Sequence, residues 1–266
     1  MNNLHRNLAP ISDAAWADIE EEAKRTFQRN IAGRRVVDVS GPHGNDFAAV
    51  GLGRLHEVEA PDHGVESHVF RSRPVVQLRV PFTLSRAEID GVERGSKDAD
   101  WDPLKDAAQR IAFAEDRAIL DGYGAAAIDG VRPASSNLPI AVPSDVDDVP
   151  EAVSQAVSEL RLAGVEGPYT VLLGAELYTL VSETSNHGLP LMAHLARIVD
   201  GDILWAPAIE GAVVLTTRGG DYELHLGQDL SIGYLSHDAE SVQLYFQESF
   251  TFLANTAEAA VALTAS

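Results

Sequence analysis

The sequence predicts a mixed α+β protein. Three observations carry this reading: an amphipathic helix pattern near the start, a long stretch of strand pattern poor in large apolar residues, and a later segment alternating helix and strand signals before strands return. The chain has 266 residues, 45% of them apolar and 23% charged, enough for one large domain or two smaller ones with a full-sized core.

The elements follow in order. After Pro10, Ser12 is a helix cap, Asp13 favours the positive end, and Gly33 is the expected stop. Between them Trp16, Ile19, Ala23, Phe27 and Ile31 recur at steps of three and four and form one stripe. A short strand is expected at Val36–Val39. Residues 47–80 read as a long β-hairpin around Pro61-Asp62-His63-Gly64. An isolated hairpin is marginal in water, so this arm needs a surface to lie against. Asp102-Pro103 opens a long helix and Gly122 ends it, with Glu115, Asp116 and Arg117 as its charged turn. Residues 129–146 are loop-like and mark an internal boundary. Helices are expected at 150–163, 174–184 and 190–199, and strands at Tyr169–Leu173, Ile203–Trp205 and Ala212–Thr217. In 222–235, Tyr222, Leu224 and Leu226 alternate with Glu223 and His225. Leu230, Ile232 and Tyr234 resume the alternation after Gly227-Gln228-Asp229, which reads as a pair of strands with one buried face. A last strand is expected at 241–253.

Forty acidic residues against 20 Lys and Arg give a net charge of −20, which repels phosphate backbones and anionic lipid. Nucleic-acid and membrane partners are therefore not expected. The absence of cysteine rules out disulfides, thiolate nucleophiles and Cys-ligated zinc, and fits a reducing cytoplasm. The start MNNLHRNLAPISD lacks a signal-peptide core, and no apolar run reaches the roughly 18 residues of a membrane span.

No nucleophile elbow, phosphate-binding loop or dinucleotide fingerprint is present. His56-Glu57 begins like a zinc-protease motif but lacks the second histidine and sits in strand pattern. Asp98, Asp100 and Asp102 alternate beside Trp101; paired carboxylates of this kind bind a divalent ion or serve a small hydrolase, and otherwise form a solvated loop with Asp102 as helix cap. No catalytic or metal-binding residue is assigned.

Several motifs together resemble encapsulin shell proteins of the linocin or culture-filtrate-antigen type found in actinobacteria. They are LAP-x5-W-x2-I-x3-A at Leu8–Ala23, GRRVVDV at Gly33–Val39, FTL-x4-ID-x2-ERG at Phe82–Gly95, EGPYTVLL at Glu166–Leu173, RGGDYELHLGQDLSIGY at Arg218–Tyr234 and FQESFTFL at Phe246–Leu253. The resemblance covers nearly the whole chain. It implies the HK97-like phage capsid fold: an N-terminal helix and first peripheral strand at 1–46, an extended arm (E-loop) at 47–80, peripheral domain with spine helix at 81–129, an axial domain at 130–221, and returning peripheral strands at 222–266. It implies a non-enzymatic icosahedral shell of 60 copies in the cytoplasm, loaded through a C-terminal tag on a dye-decolourising peroxidase or a ferritin-like iron protein. Carried onto this sequence, the tag's groove involves Phe27, Ile31, Arg34, Asp38, Ile232 and Tyr234. Ser185, Asn186, His187 and Gly188 match the loop at the five-fold pore, where His187 would make passage weakly pH-sensitive. Ala87 stands where some members hold flavin on an aromatic side chain, so no tightly bound flavin or other cofactor is expected. A phage-type major capsid protein is the alternative with the same architecture.

Overall fold

The structure, a computed structural model, describes residues 3–186 and 188–264. Ser12 accepts the Ala15 N–H and starts α1 (Asp13–Asn30), which buries Ala15, Trp16, Ile19, Ala23 and Phe27 along the stripe its spacing dictates. The helix gives way at Ile31, not at Gly33. Gly33 sits in the following 3-10 turn and is needed for space rather than for a left-handed backbone. A Cβ there would stand 2.9 Å from both Asp116 Oδ1 and Ile119 Cδ1. The strand expected at 36–39 begins two residues later, as β1 (Asp38–Ser40).

β2 (Ala49–Val58) and β3 (Ser67–Pro74) form a two-stranded antiparallel arm in which no residue is buried. Leu55 and Phe70 face each other across it, and Phe70 is 78% exposed. The arm ends at Pro74 rather than at residue 80, because β4 (Val76–Ser85) belongs to a sheet of the body. The Val75 N–H donates to Ala48 O at 2.9 Å, and Arg73 reaches Ala127 O and pairs with Asp129, so the root of the arm is clamped.

α2 (Arg86–Glu93) precedes α3 (Asp102–Leu120), whose buried face runs from Leu104 through Ile111 to Leu120. Asp102 is the first helical residue and not the cap; its N–H is taken by Asp100 Oδ1 at 3.0 Å. Trp101 Nε1 donates to Asp18 Oδ2 at 2.8 Å and ties α3 to α1. Glu115 and Asp116, which read as a charged surface turn, are both 0% exposed. Gly122 ends the segment in the left-handed region, as its position suggests.

Inside 129–146 the chain forms α4 (Val131–Ala134) and β5 (Ile140–Ala141). There follow α5 (Val149–Leu162), β6 (Tyr169–Leu173), α6 (Ala175–Glu183), β7 (Ser185–Asn186), β8 (Leu189–Pro190), α7 (Leu191–Ile198), β9 (Ile203–Trp205) and β10 (Ala212–Thr216). The last four strands are β11 (Tyr222–Leu226), β12 (Ser231–His237), β13 (Ser241–Ala254) and β14 (Ala260–Thr264).

One sheet runs β1-β11-β13-β12, with β4 on the other side of β13. β11 and β12 are therefore not neighbours, contrary to the paired reading of 222–235. The 14-residue β13 is long enough to take both, β12 against Ser241–Gln247 and β11 against Phe250–Ala254. The other sheet runs β5-β14-β10-β6-β9, and β6 and β10 are buried along their whole length, as strands between helices must be. Its β14 comes from the end of the chain, pairing Val261 with Val214, so residues 222–266 do not all stay with the first sheet. Three apolar clusters fill the body. One lies between α1, α3 and the first sheet, one under α5, α6 and α7 on the second sheet, and one where the two sheets meet, around Ile119, Leu204 and Phe252.

Candidate binding groove

A groove of about 680 Å³ opens between α1 and the edge of the first sheet. Ala23, Phe27 and Ile31 supply its helix wall, one turn apart as positions four residues apart must be. Leu230, Ser231 and Ile232 supply the strand wall, and Phe246 of β13 reaches in from behind. Phe27 and Ile232 are nearly buried, at 5% each, so they serve the core and the groove floor at once. Leu4 and Arg6 from the N-terminal segment close one side. That segment is held at several points. Arg6 pairs with Glu20 and lies over the Trp16 ring, Leu4 O accepts the Tyr234 N–H at 2.8 Å, and Asn3 Nδ2 donates to Gln228 Oε1 at 3.3 Å.

Arg34 lines the groove, but its donor fork is engaged from below. Nε and Nη2 each donate to the Glu115 carboxylate at 2.6 Å, and Nη1 donates to Asp229 Oδ1 at 2.7 Å. The guanidinium also lies 5.1 Å from the centre of the Phe27 ring. Burial alone would lower its pKa, yet Glu115 and Asp229 outweigh that and hold it above the ordinary arginine value. Arg34 is thus a strut between α3 and the groove, and its fork is not open toward the groove for a guest's carboxylate.

Glu248 of β13 completes this cluster. It is fully buried, 3.5 Å from Arg34 Nη2, and no donor among the described residues reaches either oxygen. Burial first, then the Glu115 carboxylate facing it, pushes its pKa well above the usual glutamate value. The guanidinium is already engaged by Glu115 and does not also neutralise Glu248, and the raised pKa favours the protonated form of Glu248. Beside them Asp116 accepts the N–H groups of Ala32 and Gly33, each at 2.8 Å; burial still pushes it up to about 7.

Of the residues named from sequence, Phe27, Ile31, Arg34 and Ile232 come together in this groove. Asp38 does not. It sits in β1, where Oδ2 takes the Gly220 N–H at 2.5 Å beside a separate small cleft with Arg35, Thr217 and Asp221. Tyr234 stands just beyond the lining, its hydroxyl on His237 Nδ1 at 2.6 Å. Ser185 and Gly188 lie in a small exposed hairpin made by β7 and β8; His187 lies outside the described residues. The alternating Asp98, Asp100 and Asp102 spend themselves locally: Asp98 accepts the Ser96 hydroxyl, Asp100 the Asp102 N–H, and Asp102 the Lys105 ammonium. Among the described residues no group of three His, Asp or Glu is placed to hold a metal ion, and no helix is long and apolar enough to cross a membrane. Sequence reasoning missed Leu4, Arg6 and Phe246. Only Phe246 left a signal, as an inward position in an alternating strand.

A family model described as "Encapsulating protein for peroxidase" matches residues 1–251. Type 1 encapsulin shell proteins from Mycolicibacterium paratuberculosis and Mycobacterium tuberculosis are each 64% identical to the chain over 264 residues, covering 99% of it and 100% of each relative. A type 1 encapsulin shell protein from Rhodospirillum rubrum is 45% identical over 270 residues, covering 99% of this chain and 96% of its own. Among solved structures, the virus-like particle of Pyrococcus furiosus superposes with a TM-score of 0.67 over 94% of this chain and 99% of its own, at 13% identity. A chain from the solved structure of Mycobacterium phage Che8 superposes at 0.53 over 87% of this chain and 90% of its own, at 14% identity. At such low identity these likenesses speak for the fold alone, and that fold is the HK97-like one of tailed-phage capsids. The chain belongs to the encapsulin shell proteins.

Proposed function

We propose that 60 copies of this chain close into a cytoplasmic compartment that retains a cargo enzyme through a peptide seated in the groove beside α1. The family description, which names a peroxidase as the encapsulated protein, favours a dye-decolourising peroxidase as cargo, with a ferritin-like iron protein second. The shell does no chemistry of its own; the cargo carries the haem or iron. The observation that carries the reading is the groove itself: an apolar floor of Phe27, Ile31, Ile232 and Phe246 at an open sheet edge, where apolar anchors of an extended guest supply affinity. The arm supports the assembly half of the reading, because Leu55 and Phe70 stand 56% and 78% exposed among the described residues and a second copy of the chain would cover them. The segment expected from sequence at the pore, Ser185, Asn186, His187 and Gly188, lines the opening at the five-fold axis in this reading.

Filling the groove tests it. Ser231→Trp places a bulky ring at the groove wall without opening a core cavity. Shells of this variant, expressed with a tagged peroxidase, should form normally and come out empty. Unchanged cargo per shell would refute the groove.

A further inference from the structure

We propose that the guest peptide binds as an added β-strand, pairing its backbone with the open edge of β12 at Ile232, and that the N-terminal segment Asn3–Leu8 marks where that pairing stops. The inference rests on the groove reading above and deepens it: it says what kind of peptide the groove takes and how it is read.

The edge is fixed by the ladder. In an antiparallel pair, alternate residues turn their N–H and C=O toward the same neighbour. Tyr234 is opposite Leu244 of β13, yet its N–H goes the other way, to Leu4 O at 2.8 Å. Ile232, two residues earlier and opposite Phe246, therefore presents its N–H and C=O to the same outer side. Ser231 and Gly233 face β13 instead. Among the described residues, no strand but β13 pairs with β12. The outer side at Ile232 is where the groove lies.

The occupant follows from three features of this edge. First, the chain's own N-terminal segment, a turn followed by a 3-10 helix at Arg6–Leu8, already makes a main-chain bond to this edge one step away, through Leu4 O, so the outward groups of β12 are within reach of a backbone beside α1. Second, the floor is apolar while the strand wall offers backbone donors and acceptors, which is the pattern of strand addition: main-chain bonds give affinity and pockets for alternate side chains give specificity. Third, Leu4 holds the next outward donor, at Tyr234, and the Arg6–Glu20 pair pins the segment to α1, so a guest strand cannot extend past it. The guest is therefore an extended segment of a cargo protein with apolar side chains at every second position in the direction of Phe27 and Ile31. A helical guest would leave the edge at Ile232 unused.

A backbone scan decides it. The probe is a synthetic peptide carrying the C-terminal segment of the peroxidase, present while shells assemble, with bound peptide quantified after purification. Each residue in turn is N-methylated, which removes one donor and leaves the side chain in place. Strand addition predicts a loss of about 3- to 10-fold, the weight of one hydrogen bond, at the one residue that donates to the Ile232 carbonyl, and none at its immediate neighbours. Uniform losses, or none, would overturn the proposal. Shells truncated to begin after Leu4 free the Tyr234 N–H, and the sensitive positions should then extend by one further alternate residue. If truncated shells do not assemble, the scan on full-length shells decides alone. The Ser231→Trp shell separates the two levels. A peptide that binds Ser231→Trp as well as native shells sinks the groove reading and this inference with it; one that is excluded by Ser231→Trp but scans flat sinks strand addition alone.

Discussion

Replacing Glu248 by glutamine tests the proton that the buried cluster requires. In the folded chain burial, and then the facing Glu115, raise the Glu248 pKa well above 4.5, whereas the unfolded chain releases that proton near pH 4.5. A raised folded value on an acid means that stability is lost as pH rises from 4.5 toward that value and levels off beyond it. The slope is at most about 1.4 kcal/mol per pH unit per group, and the range to follow runs from about pH 5 to about pH 7. Asp116 adds a loss of the same sign between 3.8 and about 7. Glu248→Gln keeps the shape and supplies a permanent donor to Glu115, removing one of the two contributions. Urea unfolding of shells at one fixed concentration, followed across that range, should show native and variant shells close at the acid end and the variant more stable near neutrality. Parallel curves would refute the reasoning, and so would a variant destabilised at every pH.

Phe70→Asp, on the arm, should leave the subunit's own stability within about 0.5 kcal/mol, since an exposed side chain at 78% loses little. It should still prevent closed particles in size-exclusion and negative-stain measurements, and normal particles would remove the arm from the account of assembly. Gly33→Ala should cost about 1–3 kcal/mol by overpacking against Asp116 and Ile119, read as a lowered thermal midpoint. A change too small to measure would show that those two side chains yield.

Much of the fold was legible because it is written in local pattern. The stripe from Trp16 to Ile31, the Asp102-Pro103 start and the largely apolar Tyr169–Leu173 all speak about their own neighbourhoods, and the helices and strands lie within a few residues of where these signals place them. What was not legible is long-range. Nothing in 222–235 announces that a strand from 241–254 will lie between its two halves, since the side-chain alternation is the same whichever strand is the neighbour. Residues 260–264 spell an apolar strand, but which sheet receives it depends on partners almost 50 residues away. The site divides along the same line. Phe27, Ile31 and Ile232, named through the family resemblance, line one groove, and groove and core ask for the same residue types there. Asp38 was misplaced and the commitments of Arg34 were missed, because charge in a sequence does not say which opposite charge lies across the fold; Glu115 and Asp229 are 81 and 195 residues away. Leu4 acts through its main-chain carbonyl, and a carbonyl leaves no trace in the alphabet of side chains.

β13 runs between two duties. On one side it pairs with β4, the direct continuation of the arm, and on the other with β12, the strand wall of the groove; Phe246 is opposite Val80 and Ile232 at once. Val75 joins the arm to β4 and is bonded to Ala48, and Arg73 beside it is clamped on Ala127 and Asp129. In the proposed assembly, a subunit tilted by its place in a curved lattice would load the same rail on which the proposed guest sits, and particle curvature and guest retention would be mechanically joined quantities rather than independent ones.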